Sequence, residues 1–247
     1  MNSISGTLKG YDCPKCNNRG YSYTTRETEF FGEKRYEIVS VDCNCKKIRN
    51  ELVRIKNSGL EKISAKRTLS KFKTPNKWQK HIKAVAESFL KSEKESWFYI
   101  GGQPGCGKTH ICTAIAMELL SKNKTVRYMV WTDEAPVLKA YINDVSFAKL
   151  IHPFQSVDVL YIDDLFKTKS GEKISTADVN MALRIINHRY NAGLQTIISS
   201  ELSIENIIDL DEALGSRIAE MTNEEFNTYI ASDPNKNYRF RKKGDIL

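Results

Sequence analysis

No stretch of the 247-residue chain is apolar for long enough to cross a bilayer, so no membrane partner is expected. The first ten residues, MNSISGTLKG, lack the apolar centre of a secretory leader, and a cytoplasmic location follows as the expectation. In that compartment the six cysteines should be reduced unless they hold a metal. Internal repeats and low-complexity tracts are missing, which excludes solenoids and disordered linkers as the dominant architecture. The four histidines, His81, His110, His152 and His188, show no metal-ligand spacing and read as surface or packing residues.

What is present is enough for a sizeable core. Hydrophobic residues make up 40% of the chain, and the length suits one α/β domain with a small appendage. The formal charge of +8 is unevenly spread. Residues 1–95 carry 21 Lys/Arg against 11 Asp/Glu, whereas residues 96–247 carry 17 against 19. The basic excess therefore lies outside the second part of the chain. It fits an acidic partner, such as nucleic acid or an acidic protein face, and equally a solvated helix surface.

The most specific motif is GQPGCGKT, residues 102–109, a complete G-x-x-x-x-G-K-[ST] phosphate-binding loop. Gly102, Gly105 and Gly107 let the backbone curl, so that the loop through Gln103, Pro104 and Cys106 wraps the β-phosphate of ATP with its N–H groups turned toward it. Lys108 is the residue expected on the β- and γ-phosphates, and Thr109 supplies a hydroxyl to Mg²⁺. The apolar run 97–100 suits a strand before the loop. Residues 110–122, beginning at His110, suit a helix after it, whose N-terminus favours anions. Cys106, near that N-terminus, is expected to be prone to oxidation, and both Cys106 and Cys112 to be unpaired. Downstream, VDVLYIDDLF (157–166) reads as a buried parallel strand ending in two carboxylates. Asp163 is expected to hold Mg²⁺ and Asp164 to polarise the attacking water, which makes an ATPase the default reading.

A second constellation lies near the N-terminus. Cys13 and Cys16 are separated by 26 residues from Cys43 and Cys45. Two close pairs of thiolates are the donor set of a closed tetrahedral zinc site, which makes a structural Zn²⁺ the expectation. Strand-like segments 20–25 and 35–41, with a turn over 31–34, form a hairpin that would bring the pairs together. So short a module needs the metal's binding energy to fold.

The organisation predicted along the chain is a zinc-binding domain with a basic helix over 1–65, a linker over 66–77 and a nucleotide domain over 78–247. Apolar residues recur at helical spacing over 48–55 and 78–90. Further strands are predicted at 125–131, 158–162 and 195–199, and helices at 134–143 and 176–191. Strands alternating with helices predict a parallel sheet with helices on both faces and nucleotide at the strands' carboxyl ends. Tyr128, Trp131 and Tyr141, with Lys139 and Lys149 nearby, could supply a platform for single-stranded DNA, although the first two lie within a predicted strand, where such residues are more often core.

The order GQPGCGKTH, LYIDDLF, NHRYNAGLQTIISSE, DEALGSRIAEM and NYRFRK resembles the AAA+ helicase loaders of the DnaC/DnaI type. The cysteine-paired N-terminus resembles their phage and Gram-positive versions. The resemblance covers nearly the whole chain and implies an ATPase that escorts a replicative DNA helicase onto single-stranded DNA. It implies an N-terminal domain that grips the helicase and an ATP-dependent homo-oligomer. Residue by residue, it places Glu201 near the first sensor, where the family usually has Asn and this chain reads Ser199-Ser200-Glu201. A third carboxylate beside two aspartates is expected to disturb their ionisation. Arg217 matches the arginine finger that completes a neighbour's site, and Arg239, with Arg241 as an alternative, resembles the second sensor. Only 30 residues follow Arg217, too few for a full helical lid. A transposition-type (IstB-like) regulatory ATPase and a nucleotide-gated adaptor with little hydrolysis are the alternatives.

Overall fold

The computed structural model describes residues 6–9, 11–30, 32–92, 96–168 and 172–240. The chain divides into two compact units, Met1–Lys56 and Asn57–Leu247.

The smaller unit is built on an antiparallel hairpin, β1 (Tyr21–Phe30) and β2 (Glu33–Asp42). Tyr21 pairs with Asp42 and Phe30 with Glu33, so the turn spans two residues. Of these, Gly32 adopts φ +80°, a conformation that favours glycine, and Phe31 lies outside the described residues. The strands run further than the apolar pattern indicates, because charged residues such as Glu27, Glu29 and Lys34 also pair. Helix α1 (Cys45–Ser58) follows, matching the amphipathic run read from sequence.

In the larger unit, α2 (Glu61–Ser64) and α3 (Lys77–Lys91) precede a five-stranded parallel sheet. The Gln79 side chain accepts the Asn76 N–H at 3.0 Å and so fixes the start of α3. The sheet strands are β3 (Phe98–Gly102), β4 (Val126–Val130), β5 (Val159–Leu165), β6 (Gln195–Ser200) and β7 (Asn227–Ile230), in spatial order β4-β5-β6-β3-β7. The connecting helices are α4 (Lys108–Ser121), α5 (Trp131–Ala140), α6 (Phe147–Ser156), α7 (Thr176–Asn191), α8 (Ile204–Leu210) and α9 (Glu212–Thr222). From β3 the chain crosses by α4 to the far edge at β4, then steps back across the sheet through β5 and β6 to β7. Right-handed crossovers in opposite directions put α4 on one face and α5 to α9 on the other. The contacts agree: α3 meets α4, while α7 touches α5, α6 and α9. The result is an α/β core with a parallel sheet covered by helices on both faces. After β7 the described residues contain only two short 3₁₀ turns, Pro234–Lys236 and Tyr238–Phe240.

The sheet is dry. Trp97, Tyr99, Leu160, Ile162, Ile185 and Ile198 are all fully buried in one apolar cluster. Among them Arg189 is also fully buried. Its guanidinium donates to Thr196 Oγ1, to Phe154 O and Val157 O, and to Gln195 O, tying the starts of β5 and β6 to the end of α6. Burial pulls its pKa down to about 9, against the opposing pull of Asp158.

Two boundaries differ from the sequence reading. Trp131, expected at the end of a strand, opens α5, whose first turn carries Asp133 and Glu134 where acidic side chains favour a helix start. Residues 66–77, expected as a linker, belong with 57–65 to the larger unit. Phe72 is the anchor: it is buried and its ring meets His110 edge-on, with centroids 5.3 Å apart. No helix among the described residues is long and apolar enough to cross a membrane.

Candidate nucleotide site and cysteine cluster

The phosphate-loop sequence leaves the sheet at the carboxyl end of β3 and turns at Gly107 (φ +100°) into α4. A side chain at Gly107 would press on the Phe72 ring, and one at Gly105 (φ +79°) would collide with the Asn237 amide. Glycine is thus required both by the backbone angle and by the covering segments. Gln103 is held on both sides: its amide nitrogen donates to Asp233 O, and its Oε1 accepts the Asp233 N–H. The Tyr238 N–H donates to Gly105 O at 3.0 Å, so the C-terminal turns lie against the loop. Lys108 is buried, and its Nζ donates to Gly102 O and Gln103 O at 2.6 and 2.9 Å.

Thr109, in the first turn of α4, meets Asp163 from β5: the Thr109 hydroxyl donates to Asp163 Oδ1 at 3.2 Å. The Ser199 hydroxyl donates to the same oxygen, and the Tyr128 hydroxyl to Oδ2 at 2.9 Å. Burial and the Asp163 charge push the Tyr128 phenol well above its usual range. Ser199 also accepts the Asp164 N–H at 3.0 Å. Asp164 itself sits at φ +57°, a strained angle for a residue other than glycine, and a known mark of functional positions. Lys167 donates to Asp164 Oδ2 at 2.7 Å and lies 3.3 Å from Glu201 Oε1. Burial lowers the Lys167 pKa, but Asp164 and Glu201 outweigh it and hold the ammonium above the usual lysine range.

A cavity of about 200 Å³ faces these groups. It gathers Pro104, Gly105, Gly107, Lys108, Thr109, His110, Asp164, Glu201 and Arg239, all expected from sequence, together with Arg67 and Lys167. Arg217 does not line it. That side chain lies on α9, donating to Ala213 O at 2.5 Å with its guanidinium 5.5 Å from the Tyr190 ring centre. Arg241 lies outside the described residues. The sequence reading missed Lys167 and Arg67, and it gave Ser199 and Tyr128 no contact with Asp163.

Two expectations need correction. Cys106 is 1% exposed, and its thiol pKa is raised by burial against the opposing charge of Lys108, so it lacks the exposed thiolate that oxidation needs. The suggested DNA platform is not assembled: Trp131 is buried in the core, Tyr128 is bonded to Asp163, and Lys139 pairs with Asp178 at 2.5 Å.

In the smaller unit the Sγ atoms of Cys13, Cys16, Cys43 and Cys45 all lie within 4.8 Å of one another, and all four residues are buried. Two of the S···S separations are 3.8 Å (Cys13–Cys43) and 3.5 Å (Cys16–Cys45). A tetrahedron with Zn–S bonds of about 2.3 Å has S···S edges of about 3.8 Å, so the donor set is compatible with zinc. Gly20 supplies an outer contact, its N–H donating to Cys16 Sγ at 3.3 Å. Burial opposes ionisation of Cys16, yet that amide and the neighbouring thiols bring its pKa down to about 6.

Comparison with known proteins gives a consistent fold. The family model described as IstB-like ATP binding protein matches residues 35–220. The phage-like element PBSX protein XkdC of Bacillus subtilis is 29% identical over 229 residues, covering 87% of this chain and 80% of that protein. An uncharacterized protein of the same organism, YqaM, is 42% identical over 135 residues, but the match spans only 42% of its length. Among solved structures, the DnaC helicase loader superposes with a TM-score of 0.56 at 22% identity, over 69% of this chain and 98% of that one. DnaI superposes with a TM-score of 0.53 at 22% identity, over 66% and 89%.

Proposed function

The chain belongs to the IstB-like ATP-binding protein family, and we propose that it is an AAA+ ATPase that loads a replicative DNA helicase onto single-stranded DNA. The observation that carries the ATPase part is the meeting of Thr109 and Asp163 beside Lys108, because a hydroxyl and a carboxylate set next to a phosphate loop are the ligands Mg²⁺–ATP requires. Residues 102–110 would wrap the phosphates, Lys108 would exchange its carbonyl partners for phosphate oxygens, and Thr109 and Asp163 would hold the metal ion. Asp164 orients water for in-line attack on the γ-phosphorus; as the new P–O bond forms the bond to the β–γ bridging oxygen breaks, ADP leaves, and of the water's two protons one stays on the phosphate and the other passes to solvent. Ser199 and Tyr128 keep the Asp163 carboxylate in place.

Arg239 reaches the same cavity and suits a sensor of bound nucleotide. Arg217, set apart from that cavity on α9, suits a finger offered to a neighbouring subunit in an ATP-dependent homo-oligomer. Helicase binding is assigned to the zinc-bearing N-terminal unit. Likeness to the DnaC helicase loader and DnaI in fold, and to a phage-element protein in sequence, supports this reading. Lys167 gives a second reading some weight. An ammonium shared by Asp164 and Glu201 restrains the residue that must orient water, as a nucleotide-gated adaptor with low turnover would have it.

The test is co-purification of the intact chain with the host's replicative helicase, repeated with Cys43→Ala/Cys45→Ala, alongside ATP turnover. Helicase binding that depends on the cysteines, with nucleotide affinity retained, supports the loader. No binding by the intact chain sinks it in favour of a transposition-type ATPase, and binding without turnover favours the adaptor.

A further inference from the structure

We propose that Arg67 is a phosphate ligand of the nucleotide site, supplied from the segment ahead of the first sheet strand and selective for the triphosphate over the diphosphate. This rests on the nucleotide-site reading above and extends it to a residue outside every recognised motif.

The first observation is position. Arg67 is partly buried and lines the same cavity as Lys108, Thr109 and Asp164. The second is the rigidity of its support. The next residue, Thr68, has its carbonyl bonded to His110 Nε2 at 2.9 Å, and His110 lies in the first turn of α4. Phe72 rests on Gly107 and against the His110 ring. On the other side the Arg67 N–H donates to Ser64 O at 3.1 Å, closing the turn after α2. The backbone of Arg67 is thus pinned to the phosphate loop from which its side chain would act, and a pre-positioned guanidinium loses little freedom on binding.

The third observation is charge. Lys108 is engaged by two loop carbonyls and Lys167 by two carboxylates. Arg67 makes no ion pair with any described residue, although Asp164 and Glu201 line the same cavity. A guanidinium partly withdrawn from water without an anion is unfavourable, and its planar fork matches phosphate oxygens in a bidentate manner. The side of the site is also fixed. Thr109, whose hydroxyl meets Asp163, and Asp164 line the cavity together with Arg67, so Arg67 shares the end at which the metal ligands lie. That end receives the terminal phosphate of ATP, which ADP lacks.

The experiment is equilibrium binding of Mg–ATP and Mg–ADP to the full chain, by displacement of a fluorescent nucleotide, for the wild type, Arg67→Ala and Arg67→Lys. Arg67→Ala is expected to weaken ATP about tenfold, equivalent to ~1.4 kcal/mol, while ADP changes by less than about twofold. Arg67→Lys should recover part of the ATP loss, because the charge returns without the fork. The nucleotide-free melting temperature should stay at the wild-type value. An unchanged ATP affinity overturns the assignment, and so does an equal loss for ATP and ADP, which marks a structural role. A wild type that binds neither nucleotide refutes the nucleotide site itself, and Arg67 with it.

Discussion

Removing metal from the N-terminal unit should unfold that unit and leave the larger one intact. The buried residues in the described part of 1–56 are Cys13, Cys16, Gly20, Cys43, Cys45 and Arg49, and the only apolar cluster among them is the four thiols. The side chains that would normally form a core face solvent instead, with Tyr23 59%, Tyr36 66% and Ile38 75% exposed. A lone two-stranded hairpin is at best marginal in water. Structural zinc contributes apparent binding energies of ~10–16 kcal/mol, well beyond the ~3–5 kcal/mol that a small apolar core supplies. Metal occupancy is therefore expected to decide whether the unit is folded. The assay is hydrogen exchange read by mass spectrometry, with and without a strong zinc chelator, beside a metal count of the purified chain. One zinc per chain is expected. On chelation, amides of Tyr21–Asp42 should exchange as in an unfolded peptide, while those of β3, β5 and α4 keep their protection. Protection of β1 and β2 that survives complete metal removal would refute the reasoning, since the described residues of this unit hold no apolar core besides the four thiols.

Other outcomes follow from single contacts. Arg189→Ala leaves several buried acceptors without a donor, and at ~1–3 kcal/mol for each buried group left unsatisfied the loss should total about 3 kcal/mol or more. Thermal melting should fall by roughly 6–12 °C, and an unchanged midpoint would contradict the buried network. Ser199→Ala removes a donor from Asp163 Oδ1 and frees the Asp164 N–H. It should weaken the Mg²⁺ dependence of turnover about tenfold, a ~1.4 kcal/mol effect, more than it weakens metal-free nucleotide binding. Arg217→Ala should bind ATP as the wild type does yet lose turnover by about a thousandfold, and mixing with Lys108→Ala subunits should restore some activity if the finger acts between subunits.

The legible parts of this molecule are those in which the chemistry lies on contiguous residues. Gly102 to Thr109 and Asp163-Asp164 are readable because a phosphate loop and a strand-end carboxylate pair need fixed local spacing. The cysteine pairs are readable for the same reason, two donors on each of two tight turns. The contacts of Ser199 and Tyr128 with Asp163 escape because they come from register, and that of Lys167 with Asp164 because it comes from a turn with no motif. Tyr128 pairs with Tyr161 across β4 and β5, which places its hydroxyl by Asp163 only once the sheet has formed. Strand β7 escapes for another reason: Asn227–Ile230 is four residues long, lies at the sheet edge and has no apolar run. Helix α6 is hidden by Pro153 within it, a residue that argues against helix in isolation.

The third carboxylate shows how one local rule is met by a compensation invisible to pattern. Glu201 beside Asp164 should cost stability through like-charge repulsion, if nothing intervenes. Lys167 intervenes, and it follows Asp164 by three residues because Phe166 at φ +61° folds the strand end back on itself, with the Lys167 N–H donating to Asp164 O at 3.0 Å. The result is a carboxylate–ammonium–carboxylate chain along one wall of the nucleotide cavity. An incoming phosphate would compete with both carboxylates for the same ammonium. A Lys167 drawn to phosphate would release Asp164 as the substrate arrives, which would make the ion pair a gate on hydrolysis. Replacement by Met then tells the two readings apart: a raised basal rate with weaker ATP binding marks a restraint on Asp164, whereas loss of both rate and affinity marks a cation used mainly on phosphate.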